Sequence, residues 1–151
     1  MTIRRATEGD ARRISYLIYK SIDHISDKNY SEEQIAAWKK INTPTAIKKS
    51  LQRKVIFCAY DYNKLVGTIG LKDGEAVGLY ISYWKTRQGI GGLLLRHLEK
   101  YAKDNHMKTL KVTSIPSAED FYLRKGYQIT KQVLTDLEGV KFPEKEMIKT
   151  L

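Results

Sequence analysis

The sequence predicts a layered α/β (α+β) fold, with a mixed, mostly antiparallel central sheet flanked by helices. Three observations predict it. Short apolar runs of strand length stand between stretches whose apolar residues recur at helical spacing. Three strand-like segments near the middle of the chain are joined by tight polar turns and form a meander. Finally, the 151 residues suit one domain spanning 1–151, and 42% hydrophobic residues supply a core without disulfides or metal.

The elements follow in order. Residues 3–6 read as a short first strand, and Glu8, Gly9 and Asp10 as a turn. Asp10 can cap a helix whose apolar face is Ile14, Leu17, Ile18, Ile22 and Ile25. Ser31, with Gln34 three positions later, forms a capping box for a second helix. Pro44 opens a short third helix over 45–51. The continuous apolar run 55–60 fits a buried strand. Turns at 61–64 and 72–74 separate it from strands at 65–71 and 76–81. The strongest helix signal follows, with Ile90, Leu93, Leu94, Leu98, Tyr101 and Ala102 on one face. A strand at 110–115 leads to a helix over 118–125, capped by Ser117 and ended by Gly126. Segments 127–134 and 146–149 close the chain as an antiparallel pair around the 136–143 region.

Composition narrows the function. A single cysteine, Cys58, cannot form an internal disulfide; it reads as a small buried hydrophobe in a reducing, cytoplasmic setting. The amino terminus lacks a secretory apolar stretch, and no apolar run reaches membrane-spanning length, so no membrane partner is expected. His24, His97 and His106 lack metal-ligand spacing, so no metal is expected. The net charge of +10 invites an anionic partner, yet it is spread evenly over both halves without a basic block. No strongly basic helix face or aromatic RNA-binding motif stands out, which disfavours nucleic acid.

The most informative stretch is 79–94. A strand runs into a turn holding Gly89, Gly91 and Gly92, and the turn opens the long helix. Glycine lets backbone N–H groups approach a ligand, and the helix start leaves donors free, which together suit a phosphate or pyrophosphate. Lys85 and Arg87 add charge nearby, as do Arg124 and Lys125 farther along. A tight strand–helix turn would also use such glycines. The pattern is neither a Walker A loop, since Leu93 follows Gly92, nor a good dinucleotide fingerprint, since Leu94 takes the third glycine position.

Here the sequence resembles the GNAT superfamily of acetyl-CoA-dependent N-acetyltransferases. Thr86-Arg87-Gln88-Gly89-Ile90-Gly91 is similar to that family's acyl-CoA loop, with Thr86 in place of the usual Gln or Arg. Downstream, the segment 117–127, containing Phe121-Tyr122 and Gly126-Tyr127, resembles a second family motif, with Ser117 replacing a frequent Asn. The resemblance runs through the element order of the whole chain. It implies a GNAT-like acyl-CoA N-acyltransferase fold, acetyl-CoA as cosubstrate, and an amine acceptor that attacks the thioester directly. It assigns CoA contacts to Leu79, Tyr80, Ile81, Thr86, Arg87, Gln88, Gly89, Ile90, Gly91, Gly92, Ser117 and Tyr122. A backbone N–H near 79–81 would polarise the carbonyl, and Tyr122 would protonate the departing thiolate, whereas Phe121 reads as packing.

A base must deprotonate an alkylammonium acceptor. Glu75 is the catalytic candidate, with Glu33, Asp23 and His24 as others, and Glu75 is equally a turn residue. Tyr30, Gln34 and Trp38 share one helix face and resemble an acceptor-lining segment of small bacterial GNAT proteins; core packing is the other reading. No acidic cluster marks an acceptor site, so a polyamine-like acceptor is not indicated. Related small acetyltransferases often form homodimers. Two other readings remain: a non-catalytic acyl-CoA sensor of the same fold, and a basic nucleic-acid-binding module.

Overall fold

The continuous apolar run at 55–60 belongs to a strand, β2 (Val55–Asp61), and its side chains alternate between two cores. Ile56, Cys58 and Tyr60 face one apolar cluster, while Phe57 and Ala59 face the other. Burial on both sides is why the strand is apolar throughout. The structure, a computed structural model, describes residues 1–26 and 29–151.

The chain begins with β1 (Thr2–Arg5), then α1 (Ala11–Ser26), α2 (Glu32–Lys40) and α3 (Pro44–Ser50). The meander is β2, β3 (Lys64–Lys72) and β4 (Glu75–Ile81). It leads through a 3-10 turn at Tyr83–Lys85 into α4 (Ile90–Asp104), then β5 (Thr109–Ser114) and α5 (Glu119–Arg124). A hairpin of β6 (Gln128–Leu137) and β7 (Val140–Thr150) ends it. Among the described residues, seven strands form one sheet in the order β1-β2-β3-β4-β5-β7-β6. Every neighbouring pair is antiparallel except β4–β5. The fold is therefore the mixed, mostly antiparallel α/β sheet that the sequence predicts.

One core lies between the sheet and α4 with α5, centred on Leu94, Leu95, Leu98, Val66 and Ile69. The other lies under α1–α3, centred on Ile14, Ile18, Ile22, Trp38 and Ile47. The predicted face of α4 needs one correction. Leu93 is 40% exposed, and Leu95 is buried instead. At about 100° per residue, Leu95 lines up with Leu98 and Ala102, while Leu93 falls on the flank.

Three local expectations also change. Asp10 does not cap α1; a 3-10 turn starts at Thr7, whose backbone N–H donates to Asp10 Oδ2 at 2.8 Å. Ser117 caps nothing, because it sits inside a second 3-10 turn and α5 starts after Ala118 without a side-chain cap. The final hairpin is longer than expected, since β6 and β7 run into a two-residue turn at Glu138 (φ 53°) and Gly139 (φ 81°). Those signs fit a type I′ turn, whose twist matches the strands.

Asp10 instead ties β1 to β2. Arg4 Nη2 donates to its carboxylate at 2.8 Å and the Tyr60 hydroxyl donates at 2.7 Å. The Arg4 guanidinium, with the Thr7 N–H and Tyr60 O–H, holds the Asp10 carboxyl well below the usual range. A lowered folded pKa stabilises above the unfolded value and is lost as pH falls below it. Asp10→Asn is expected to lower the unfolding free energy by about 2 kcal/mol at neutral pH. The gap to the parent should shrink from about pH 4 down toward pH 2. Chemical denaturation across that window checks it.

Candidate functional site

β4 is paired with β5 only at its own start, through Glu75↔Lys111 and Ala76↔Val112. Beyond Ala76 the strands diverge, while β5 keeps β7 as its other neighbour to Ser114. On its far side β4 carries a bulge, because the four residues from Val77 to Tyr80 span what the three from Gly70 to Thr68 span on β3. Gly78 sits there with φ 61°. Bulges bend a strand and re-aim its groups, and they gather beside active sites.

The split opens into a cleft of about 340 Å³. Its walls are β4 from Glu75 to Tyr80, the ends of β5 and β7, Trp38 from α2 and Tyr122 from α5. Of the predicted site residues, the fold brings Glu75, Leu79, Tyr80, Trp38 and Tyr122 into this one space. Ile81 lies just beyond, at the end of β4, where its carbonyl accepts from Ser21 at 3.2 Å. Tyr30 reaches the cleft indirectly, packing edge-on to Trp38 with ring centres 5.3 Å apart. Gln34 does not face the cleft. Its amide oxygen accepts from the Ser31 N–H, and its nitrogen donates to the Lys141 carbonyl at 3.0 Å. The capping requirement of α2 consumes that side chain.

Tyr122 is 8% exposed and stacks edge-on between Phe121 and Tyr127. Among the described residues its hydroxyl has no hydrogen-bond partner, and the side chain borders the cleft. Burial pushes this phenol well above its ordinary pKa, so it stays protonated at neutral pH. Tyr80 is likewise pushed up to about 12 by burial, and its hydroxyl accepts from Trp38 Nε1 at 2.7 Å.

The glycine turn follows β4 directly. Gly89 is the N-cap of α4 with φ 82°, a left-handed conformation that side chains disfavour, and a Cβ there would meet nothing within 4 Å. The turn is therefore open as well as glycine-dependent. A Cβ on Gly91 would stand 3.4 Å from the Phe121 ring, so this backbone runs close against α5. Ile90 and Gly92 are buried, which leaves backbone donors as what they can offer a ligand. Thr86 and Gln88 are exposed, with the Thr86 hydroxyl donating to the Tyr83 carbonyl. Arg87 is exposed with φ 65°. Ser117 is exposed and outside the cleft walls.

The cations near the turn differ in use. Lys85 is paired with Asp61 at 3.1 Å. Lys125 reaches across from α5, its Nζ 3.1 Å from where a Gly92 Cβ would be, beside the start of α4. It is the better placed positive charge.

Of the base candidates, Asp23 pairs with Lys39, His24 stacks on Tyr83 at 4.9 Å, and Glu33 is exposed. None of these three lines the cleft. Glu75 does, accepting from the Thr113 hydroxyl. Sequence reasoning missed Glu144 on β7, which lines the same cleft and accepts from the Thr135 hydroxyl. Burial raises the Glu144 carboxyl, and the Glu75 charge acts in the same direction. Two carboxylates from distant segments, Glu75 on β4 and Glu144 on β7, thus line one cleft. The one sequence signal for Glu144 is the alternation along β7, and a strand expected only over 146–149 stops short of it.

Cys58 is fully buried, and its thiol is pushed up to about 12 by burial, which suits packing. Among the described residues no group of three or more His, Cys, Asp or Glu converges, and no helix is long and apolar enough to cross a membrane.

Comparison with known proteins adds three findings. A family model described as "Acetyltransferase (GNAT) domain" matches residues 26–148. The chain is 26% identical over 140 residues to the uncharacterized N-acetyltransferase YafP of Escherichia coli (strain K12), covering 93% of this chain and 89% of that one. Among solved structures, a GCN5-related N-acetyltransferase from Rhodopseudomonas palustris superposes with a TM-score of 0.92 at 24% identity, covering 99% and 95% of the two chains. A PaiA N-acetyltransferase from Thermoplasma acidophilum, solved with coenzyme A, gives 0.81 at 22% identity over 99% and 98%.

Proposed function

The chain belongs to the GNAT family of acetyltransferases, and from that premise we propose that it moves the acetyl group of acetyl-CoA to a primary amine by direct attack within a ternary complex. One observation carries this reading: β4 and β5 part after Ala76 and open a cleft beside the strand that leads into an exposed glycine turn at a helix start. The diverging edge of β4 beyond Ala76 has free backbone groups toward the gap, suited to an amide-bearing pantetheine arm as in strand addition. Backbone N–H groups of Gly89–Gly92, the α4 dipole and Lys125 suit a pyrophosphate.

Acetyl-CoA, when bound, supplies the activated acyl group. The protein's part is positioning and charge handling. Holding amine and thioester together converts a bimolecular encounter into a unimolecular step. A β4 backbone N–H beside the Gly78 bulge, within the 79–81 stretch, meets the negative charge that develops on the carbonyl oxygen. Tyr122 directs its free hydroxyl to the leaving sulfur. Since burial raises its pKa, the hydrogen bond to the developing thiolate contributes more than an early proton transfer. Trp38 and Tyr80 form the aromatic wall on the acceptor side, with Tyr30 packed behind Trp38.

Calorimetric titration with acetyl-CoA is expected to give saturable one-site binding in the micromolar range or tighter. Random DNA should bind only weakly and with strong salt dependence. Mixing acetyl-CoA with a panel of amines should then release free thiol. Binding without turnover on any amine would favour an acyl-CoA sensor, and no acetyl-CoA binding would overturn the reading.

A further inference from the structure

We propose that Glu144 receives the acceptor's ammonium group and takes its proton, and that the acceptor is a primary amine carried on an apolar or aromatic body. The proposal rests on the acetyltransferase reading above and deepens it.

The charge distribution of the cleft is the first support. The protein carries a net charge of +10, and its partly buried carboxylates generally hold a lysine. Glu99 pairs with Lys149 at 3.0 Å, Glu119 with Lys145 at 3.1 Å, and Glu146 with Lys111 at 3.7 Å. Glu75 and Glu144 form no ion pair among the described residues, and the cleft walls contain no Lys, Arg or His. The other described carboxylates without an ion pair, Glu32, Glu33, Asp73 and Asp120, are exposed, where water solvates them. Two half-buried anions in an apolar surround favour a cationic ligand.

The two carboxylates are not equivalent. Glu75 sits where β4 and β5 are still paired, at the closed end of the split, and is held by Thr113. Glu144 stands on β7, across the gap from β4, held by Thr135 of β6. The groups that face Glu144 are Glu75 and Tyr80 of β4, Tyr30 ahead of α2, and Tyr122 across the cleft, with Glu119 and Lys145 beside it in a surface groove on its other side. The lysines flanking it on β7 are engaged elsewhere, Lys141 by Asp136 at 2.6 Å and Lys145 by Glu119. Burial and Glu75 both raise the affinity of Glu144 for a proton, the direction a base for an ammonium requires.

The wall chemistry sets the rest of the acceptor. Trp38 spends its one N–H on the Tyr80 hydroxyl, so the two residues offer ring faces to the cleft. Ile41, Leu137 and Phe142 complete an apolar boundary. An ammonium set against carboxylates and ring faces, with a hydrocarbon or aromatic body behind it, satisfies every group named.

The proton count closes. The acceptor arrives as R–NH3⁺ and passes one proton through Glu144 to water. The free amine forms the C–N bond as the C–S bond breaks, and the second proton ends on the CoA thiol. The products are the amide, the thiol and one released proton.

The test uses the full chain with 2-phenylethylamine and n-hexylamine against spermidine and glycine. The first two are expected to show kcat/KM at least about tenfold above the others. Glu144→Gln should lower kcat/KM by about a hundredfold or more and remove the acidic limb of its pH profile. Its acetyl-CoA Kd should stay within about twofold, and Glu144→Asp should recover part of the loss. If Glu144→Gln melts early, Glu144→Asp and the wild-type pH profile decide. Unchanged kcat/KM in Glu144→Gln, or a preference for spermidine or glycine, would overturn this inference and leave acetyl transfer standing. Failure of the wild type to bind acetyl-CoA would overturn both, and the titration identifies that case.

Discussion

Replacing Gly91 with aspartate is expected to abolish acetyl-CoA binding at concentrations that saturate the parent. The new carboxylate would lie in the turn proposed to cradle a pyrophosphate, at the start of α4. Two like charges about 4 Å apart at an effective dielectric of about 20 repel by about 4 kcal/mol, about a thousandfold in Kd. Gly91→Ala separates charge from size. Its methyl would meet the Phe121 ring at an ordinary 3.4 Å, so it should weaken binding by less than about tenfold. Calorimetry on all three proteins, with melting curves as a folding control, checks the expectation. An aspartate variant that binds acetyl-CoA like the parent would remove the turn from the donor site.

The second large effect concerns Tyr122. Tyr122→Phe keeps the ring that packs between Phe121 and Tyr127 and deletes only the hydroxyl, which has no partner among the described residues. Stability and acetyl-CoA affinity should therefore barely change. Turnover should fall by about a hundredfold, the scale of one proton donor or one well-aimed hydrogen bond. The loss should appear in kcat with KM for acetyl-CoA unchanged, because the interaction grows only as charge reaches the sulfur. Steady-state thiol release reads it directly. Unaltered kcat would assign Tyr122 to packing alone.

These two residues are legible in the sequence for different reasons. The glycine turn is contiguous, and its chemistry lies in backbone geometry that a few neighbouring residues dictate. Tyr122 stands out through a motif that places it on α5, although nothing in the sequence shows that its hydroxyl is free. Gln34 illustrates the opposite case. It satisfies the spacing of an acceptor-facing stripe and the pattern of a capping box equally well, and the backbone N–H of Ser31 claims it. Ser117 and Asp10 fall a few residues away from the caps expected of them because both helices start through 3-10 turns, whose onset a periodicity cannot resolve.

By itself, the sequence determined the order of strands and helices, the double burial of β2, the apolar face of α1 and most of that of α4, and the location of the glycine turn. Each depends on periodicity or hydrogen bonding within a few residues, so each is written locally. The tertiary structure alone decided that Trp38 spends its N–H on Tyr80, and that Glu75 and Glu144 face one cleft. Those facts depend on which strands become neighbours and in what register. Inserting β7 beside β5 brings Glu144 to the cleft, and a shift of one residue would turn it to the other face.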